Sequence, residues 1–509
     1  MNLFKTLLQG ITIGSLALLG ACTVSGSDDE INVLGDNSVV GLKDFDLITS
    51  QEQFNASWNA LTEVEKEFEY CYEDLDLFYL FAHSDSLVPP GSPWYRQLKT
   101  RRSYIGQGKI QWPDVDLPAR ILDTYYMFQT LKDGYTGYIP PMIQKYDDFL
   151  EDFTARDTIA DIGINLRTVH KSDTSDAIII TQLFTGSAAE ESKLQVNDTI
   201  LTVNGMIFSD EDSCYEAIEG PIGSKIYITV ARDDDGERVE ITDTLKIIPY
   251  IAPSVTYQVI DSIAVIKIYE FAATNTPHEE GTYGEFVEAL KATRNTKATI
   301  IDLRGNPGGD EGQCISIATE MIPEGSIIAF EYRPYDVNNP EYIADHQIIY
   351  TDTVRAKWSG IAKDRYLVFM ADSGAGSCSE YTLAGVLSNR HSPLVGENTF
   401  GKGVGYSIMP TYLDGAELIT VGISYDKNKE TYHMRGFAPD VQVSDPDAQL
   451  DSALAIAKEG KRTRTAGYGK EIRPFFNKPL QKTSGNKIAP IIPKAKDLGR
   501  YRILPKKTR

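Results

Sequence analysis

Two residues in the last third of the chain carry the chemistry that the rest must position. Ser377 lies in the small-residue run of ADSGAGSCSEYTLAGVLSNRHSPLVGENTFGKGVGY, residues 371–406, and Lys402, 25 positions later, is fenced by Gly401 and Gly403. Serine is a poor nucleophile until a neighbouring base takes its proton. Histidine is the usual base, but none of the six histidines sits in an evident motif, and His391 reads as a surface residue after a helix. A lysine serves instead where burial lowers its pKa from ~10.4 towards ~7–8. Val395 and Phe400 are the expected apolar walls for Lys402, and its flanking glycines admit a close approach. Acyl transfer also needs an oxyanion hole. The N–H of Cys378, next after the serine, is one expected donor, and Gly308 is the other. Taken alone, the same residues describe an ordinary serine-rich turn and a surface lysine.

The flanking pattern decides between these readings. Tyr366 to Met370 is a short apolar run of buried-strand length, and Glu380 to Leu387 has apolar residues at helical spacing. Ser377 therefore falls at a strand-to-helix turn, where helix N–H groups can hold an anion. Ala298 to Leu303 predicts a second buried strand that runs into Arg304-Gly305-Asn306-Pro307-Gly308-Gly309, where adjacent glycines let backbone N–H groups approach a ligand. Strands at Ile263–Ile268 and Leu418–Ser424 and helices at Tyr283–Thr293 and Gly312–Met321 make residues 251–455 an α/β unit. Ahead of it, residues 157–248 read as short strands: Ile162 to Leu166, Ala177 to Leu183 and Lys225 to Arg232, with a short helix after Gly186 and another at Asp212–Glu219. Residues 42–153 read as mostly helical, with amphipathic stretches at Phe54–Leu80 and Leu117–Leu131 around a Pro/Gly break at 89–92. Leu131 to Pro141 is a turn-rich exit from the helices.

The formal charge of −22 argues against nucleic acid as a partner, since phosphates reward a basic surface. The charge is uneven: residues 461–509 hold 15 Lys and Arg against Glu471 and Asp497, a net +13, which leaves −35 on residues 1–460. Residues 456–509 are read as a solvated basic tail. Cys22, Cys71, Cys214, Cys314 and Cys378 show neither zinc-site spacing nor a disulfide framework, so no metal is expected. Residues 1–21 read as a secretory leader, with Lys5 near the start and an apolar stretch too short to span a membrane. Its end, Leu19-Gly20-Ala21-Cys22, resembles the lipobox of bacterial lipoproteins, which implies lipidation at Cys22. Residues 22–41 would then be a tether, and Ser27-Asp28-Asp29-Glu30 is similar to the export signal of some Bacteroidetes surface lipoproteins. That resemblance implies an extracytoplasmic protein, lipid-anchored to the bacterial outer membrane on its periplasmic or outer face.

The strand order and the GSAAEESKLQVNDTILTVNG motif of residues 186–205 resemble a PDZ domain of the bacterial periplasmic type. Such domains add a peptide as an extra strand, and N–H groups near Ile162, Gly163 and Ile164 are expected to hold its terminal carboxylate. DLRGNPGG, GSCSE and GENTFGKG, in that order behind this domain, resemble the C-terminal processing (tail-specific) serine proteases, as does the segment 131–141 and Pro439-Asp440-Val441. The resemblance spans roughly residues 117–454. It implies a crotonase-like α/β protease core with an inserted β-rich PDZ domain and an N-terminal helical region. It further implies a Ser377–Lys402 dyad, polypeptide C-termini as substrates, and no cofactor. Glu380 is similar to a glutamate common in the family, to which a supporting role is assigned.

This sequence departs from the family's pattern at four places. Cys378 stands where alanine is common, and Tyr406 where many members carry a glutamine that orients the lysine. The histidine of the family's D-x-H-T segment is replaced by Tyr135, within Asp133-Gly134-Tyr135-Thr136, and the basic tail has no counterpart. Two other readings stay open: a catalytically inactive peptide- or ligand-binding protein of the same fold, supported by Tyr406, and Cys378 as the nucleophile.

Overall fold

The computed structural model describes residues 39, 41, 51–80, 117–129, 131, 134–156, 158–169, 177–234, 237–333 and 350–469. The leader, Cys22, nearly all of the tether, the break at 89–92, Asp133 and the tail beyond 469 lie outside the described residues. Among those described, no helix is long and apolar enough to cross a membrane.

The sheet beneath the candidate site has six strands. Val441–Gln442, Leu394–Gly396, Tyr366–Ala371, Ala298–Asp302 and Ile263–Ile268 lie side by side and parallel, and Val255–Ile260 closes one edge antiparallel. Ala298–Asp302 is buried along its whole length, which explains its unbroken apolar run: strands covered on both faces have no reason to alternate. Side chains still divide between the faces by the two-residue period. Ile301 and Phe369 join Phe286, Ile317 and Leu383 of the helices Gly281–Ala292, Glu311–Thr319 and Cys378–Arg390. Ile300, Val368 and Met370 join Ala453, Leu454 and Ile456 of the helix Pro446–Glu459. The loops at the carboxyl ends of Ala298–Asp302 and Tyr366–Ala371 carry Gly308 and Ser377, the end at which open α/β sheets bind their ligands.

A second, antiparallel sheet positions Lys402. Its central strand Ala416–Tyr425 pairs with Gly137–Ile139, Ile327–Arg333 and Val404–Pro410, and Tyr350–Arg355 adds to Ile327–Arg333. Helices Glu63–Phe78 and Ala119–Gln129 cover it through Phe68, Leu75, Ile121 and Phe128, which meet Val404, Ile419 and Ile423. The stretch expected as one helix from Phe54 to Leu80 is two, Gln51–Ala60 and Glu63–Phe78. Thr62 and Glu65 explain the break: the Glu65 carboxylate accepts the Thr62 N–H at 2.9 Å, the return bond of a capping box.

The third unit is a five-stranded antiparallel sheet, Ile164–Val169, Ala177–Leu183, Thr199–Val203, Lys225–Asp234 and Glu237–Lys246 in spatial order, with helix Glu211–Ile218. Ile226, Ile228 and Val230 alternate into its core. Thr158–Ile159 pairs with Tyr250–Ile251, so the chain enters and leaves this unit through a two-stranded neck. The short helix expected after Gly186 is a series of turns instead, with the N–H of Ser187 donating to the Phe184 carbonyl and that of Ser192 to the Ala189 carbonyl.

Candidate active site

Two turns are packed into each other at the carboxyl end of the parallel sheet. Asn306 joins them. Its Nδ2 donates to the Ile268 carbonyl at 3.0 Å, which sets its Oδ1 towards the Gly308 N–H at 2.9 Å. Its own carbonyl accepts the Gly376 N–H and the Ser379 hydroxyl, each at 3.0 Å. Gly308 has φ +111, and a Cβ there would lie 2.6 Å from the Ser377 Cβ and 2.9 Å from the Cys378 nitrogen. Only a glycine permits that approach. Ser377 itself has φ 53 and ψ −118 at the N-terminus of helix Cys378–Arg390. A non-glycine residue held there is strained, as functional residues at tight turns often are.

The oxyanion donors differ from expectation in one respect. Cys378 occupies the first position of its helix, where an N–H has no carbonyl of its own helix to bond. Gly308 is adjacent as expected, but its N–H is engaged by Asn306, whose side chain closes a turn two residues on. An oxyanion at Gly308 must share or break that bond.

Glu380 ties the serine to the lysine. Its Oε2 accepts the N–H of Ser377 at 3.2 Å and the N–H of Lys402 at 2.7 Å, which bounds the separation of those two nitrogens at 5.9 Å. Its Oε1 accepts the Thr399 hydroxyl at 2.5 Å and the Gly401 N–H at 2.7 Å. Thr399 in turn accepts the Phe437 N–H. Burial pushes the Glu380 carboxyl up to about 7 against the pull of these four hydrogen bonds. Glu380, to which a supporting role is assigned, thus links the Ser377 turn to the Lys402 loop.

One of the two walls expected for Lys402 lies elsewhere. Val395 packs on the far face of the sheet against Met370 and Ala453. Phe400 is 39% exposed and lies against Gly376. Val395 misses because it sits on strand Leu394–Gly396 of the parallel sheet, with its side chain on the face that helix Pro446–Glu459 covers. The Lys402 amine instead faces two rings, with Nζ 4.3 Å from the centroid of Tyr406 and 4.9 Å from that of Tyr135. His433, which no sequence pattern had marked, is beside them. Its Nδ1 accepts the Gly403 N–H at 3.3 Å, its ring is 6.4 Å from Tyr135, and burial with the nearby Lys402 charge pushes it down to about 4. At neutral pH it is an uncharged imidazole with its proton on Nε2.

The thiol of Cys378 is engaged by its neighbours. It contacts the carbonyls of Gly309 and Asp310 at 3.3 Å each and the Cys314 sulfur at 2.6 Å, and both cysteines are free and buried. Among the described residues, no group of three or more His, Cys, Asp or Glu is placed to hold a metal ion.

In the β-rich unit, Ile162 and Ile164 flank Gly163, whose φ of +82 and contact with Ser187 require glycine. The Gly163 N–H already donates to Asp161 Oδ1 at 2.6 Å, and the same oxygen accepts the Tyr250 hydroxyl at 2.7 Å. Burial lifts this carboxyl to about 6. Along the edge strand, the N–H of Leu166 donates to the Tyr215 hydroxyl at 2.7 Å and that of Thr168 to Glu211 Oε2 at 2.5 Å. A peptide adding to this edge must displace these side chains.

Comparison with known proteins agrees with the order of the two units. Residues 262–443 match peptidase family S41 and residues 155–231 match the PDZ domain. A carboxyl-terminal-processing protease of Synechocystis sp. is 28% identical over 353 residues, 66% of this chain and 76% of that protein. A CtpA-like serine protease of Staphylococcus haemolyticus is 24% identical over 352 residues, 68% of this chain. The chain covers 64% of that relative's length, just under two thirds. The solved structure of a photosystem II D1 C-terminal processing protease superposes with a TM-score of 0.44 at 17% identity, covering 78% of this chain and 98% of that one. The chain thus matches the peptidase S41 family over residues 262–443, behind a match to the PDZ domain over residues 155–231.

Proposed function

We propose that the protein is a serine endopeptidase that cleaves polypeptides near their C-termini with Ser377 as nucleophile and Lys402 as base. The observation that carries this reading is the Glu380 carboxylate, one oxygen of which receives the backbone N–H of both residues. In the reaction, the free amine of Lys402 takes the Ser377 hydroxyl proton as Oγ attacks the scissile carbonyl. The oxyanion goes to the Cys378 N–H and the Gly308–Gly309 turn. The ammonium then returns the proton to the leaving amine, and water, activated by the same lysine, releases the acyl group. The parallel sheet with helices on both faces is compatible with a crotonase-like core.

The PDZ domain is proposed to recognise the substrate's C-terminus, with a carboxylate replacing Asp161 at the Gly163 N–H. Lipidation at Cys22 would anchor the protein to the outer membrane. Labelled palmitate entering wild type but not Cys22→Ala supports the anchor, and equal labelling overturns it. Ser377→Ala and Lys402→Ala are each expected to abolish cleavage of an unfolded substrate with an apolar C-terminus. Full activity in either variant refutes the dyad. The two rings around Lys402 favour a second reading, an inactive peptide-binding protein, because an aromatic face stabilises an ammonium rather than an amine. Peptide binding with no turnover at any pH would establish that alternative.

A further inference from the structure

Two departures that lie 271 residues apart in sequence, Tyr135 and Tyr406, meet at one atom, the Lys402 Nζ. Their convergence is built by the antiparallel sheet. Tyr406 is paired with Thr420 on the central strand, and the register shifts between Gly405 and Tyr406. Such a bulge re-aims the side chain that follows it. Tyr135 comes from the segment just ahead of strand Gly137–Ile139, and its neighbour Thr136 is fixed to the same rung. The Thr420 N–H donates to Thr136 Oγ1 at 3.0 Å, and Thr136 Oγ1 donates to Thr420 Oγ1 at 3.1 Å. Thr420 therefore ties the strand that carries Tyr406 to the residue next to Tyr135.

Several groups near the lysine bear on its charge. Tyr135 and Tyr406 present their rings to the amine; His433 is neutral at pH 7 and adds no competing charge. Glu380 accepts the lysine's own backbone N–H, and the Cys378 thiol lies near enough to Tyr406 to interact with it electrostatically. A cation within about 6 Å of a ring centroid is attracted by the ring's quadrupole, and a neutral amine is not. Both rings are inside that distance.

Resting on the Ser–Lys reading, we propose that Tyr135 and Tyr406 are positioning residues that form an aromatic clamp, holding the Lys402 amine between them and favouring its ammonium form. Where family members carry a glutamine that orients the lysine by hydrogen bonding, this chain uses two π faces. The resting site is then set towards the charged lysine. Turnover requires the free amine, so it rises on the alkaline side and is suppressed near neutral pH.

The test is the pH profile of kcat/KM for wild type, Tyr406→Leu, Tyr135→Leu and Tyr406→Phe, acting on one unfolded polypeptide. Removing a ring is expected to move the alkaline limb down by about one pH unit, a tenfold gain at the foot of the limb. Tyr406→Phe keeps the ring and is expected to keep the limb. A second readout needs no turnover: the 13Cε resonance of Lys402 in full-length Ser377→Ala protein, assigned by its loss in Lys402→Arg, titrates the amine directly. The same downward shift is expected there on adding Tyr406→Leu. An unmoved or raised amine pKa in the leucine variants overturns the clamp, as does a shift in Tyr406→Phe equal to that in Tyr406→Leu. If wild type cleaves nothing, the Ser–Lys reading fails while the titration still decides the clamp.

Discussion

Replacing Glu380 with glutamine tests the feature on which the proposed site depends. The carboxylate receives four donors, two on each oxygen, and an amide can accept on only one. With its oxygen kept towards Thr399 and Gly401, the amide NH2 faces the N–H groups of Ser377 and Lys402, donor against donor. Two buried donors then lose their partner at ~1–3 kcal/mol each, about 4 kcal/mol together. Part of this appears as lost stability. The rest appears as loosened register between the nucleophile turn and the lysine loop, for which a displacement of 1 Å can cost about 100-fold in rate. We expect Glu380→Gln to fold, with a reduced Tm, and to lose about 100-fold to 1000-fold in kcat/KM on an unfolded polypeptide. The pH dependence supplies a second check. With its carboxyl at about 7, Glu380 in wild type gains a proton below neutrality. The protonated carboxyl is a weaker acceptor for the three backbone N–H groups of Ser377, Gly401 and Lys402, so activity is expected to fall there beyond what the lysine alone dictates. Glu380→Gln mimics that state at every pH. A folded Glu380→Gln enzyme with kcat/KM within threefold of wild type would refute this role for Glu380.

Two further outcomes follow from the packing. Gly308→Ala puts a methyl 2.6 Å from the Ser377 Cβ at φ +111, and about 100-fold or more of kcat/KM should be lost, read beside thermal unfolding to separate site damage from misfolding. Under helix Glu63–Phe78, burial and the neighbouring Asp74 push the Glu417 carboxyl well above the usual range, while burial lifts Asp74 to about 6. Both are acids raised in the folded state, so their contribution is full below the unfolded value near ~4 and is lost as pH rises, through about 6 for Asp74 and through its own raised range for Glu417. Glu417→Gln should therefore gain on wild type as pH increases from 5 to 8, by about 3 °C in Tm; a gap that does not widen with pH would contradict this.

The two strands that carry the site were legible because burial on both faces writes itself as an unbroken apolar run, and Tyr366–Ala371 and Ala298–Asp302 stand within a residue of where that run predicts them. Gly308 was legible because a close approach excludes every other residue type. What could not be read was the set of partners made by folding. Val395 was near Lys402 in sequence, yet its side chain falls on the opposite face of the parallel sheet, against Ala453. The residues that surround the amine come from positions 135, 406 and 433, joined only through pairing with Ala416–Tyr425 and the loop that follows it. Hydrogen bonds that occupy a donor are equally invisible in a motif, which is why Gly308 and Gly163 stood as donors although Asn306 and Asp161 hold their N–H groups.

The departures from the family's pattern gain meaning from the same geometry. Taken singly, a tyrosine in place of glutamine argues for a lost activity, and a tyrosine in place of histidine argues for a changed domain contact. Placed 4.3 and 4.9 Å from one amine, they act as one feature in the proposed clamp. A hydrogen-bonding glutamine can hold the amine in either protonation state, whereas two ring faces favour only the charged one. On the proposed Ser–Lys reading, the change bears on when the base is free rather than on whether the nucleophile exists. That is why the protonation of Lys402, more than the presence of Ser377, separates a peptidase working at alkaline pH from a protein that only binds.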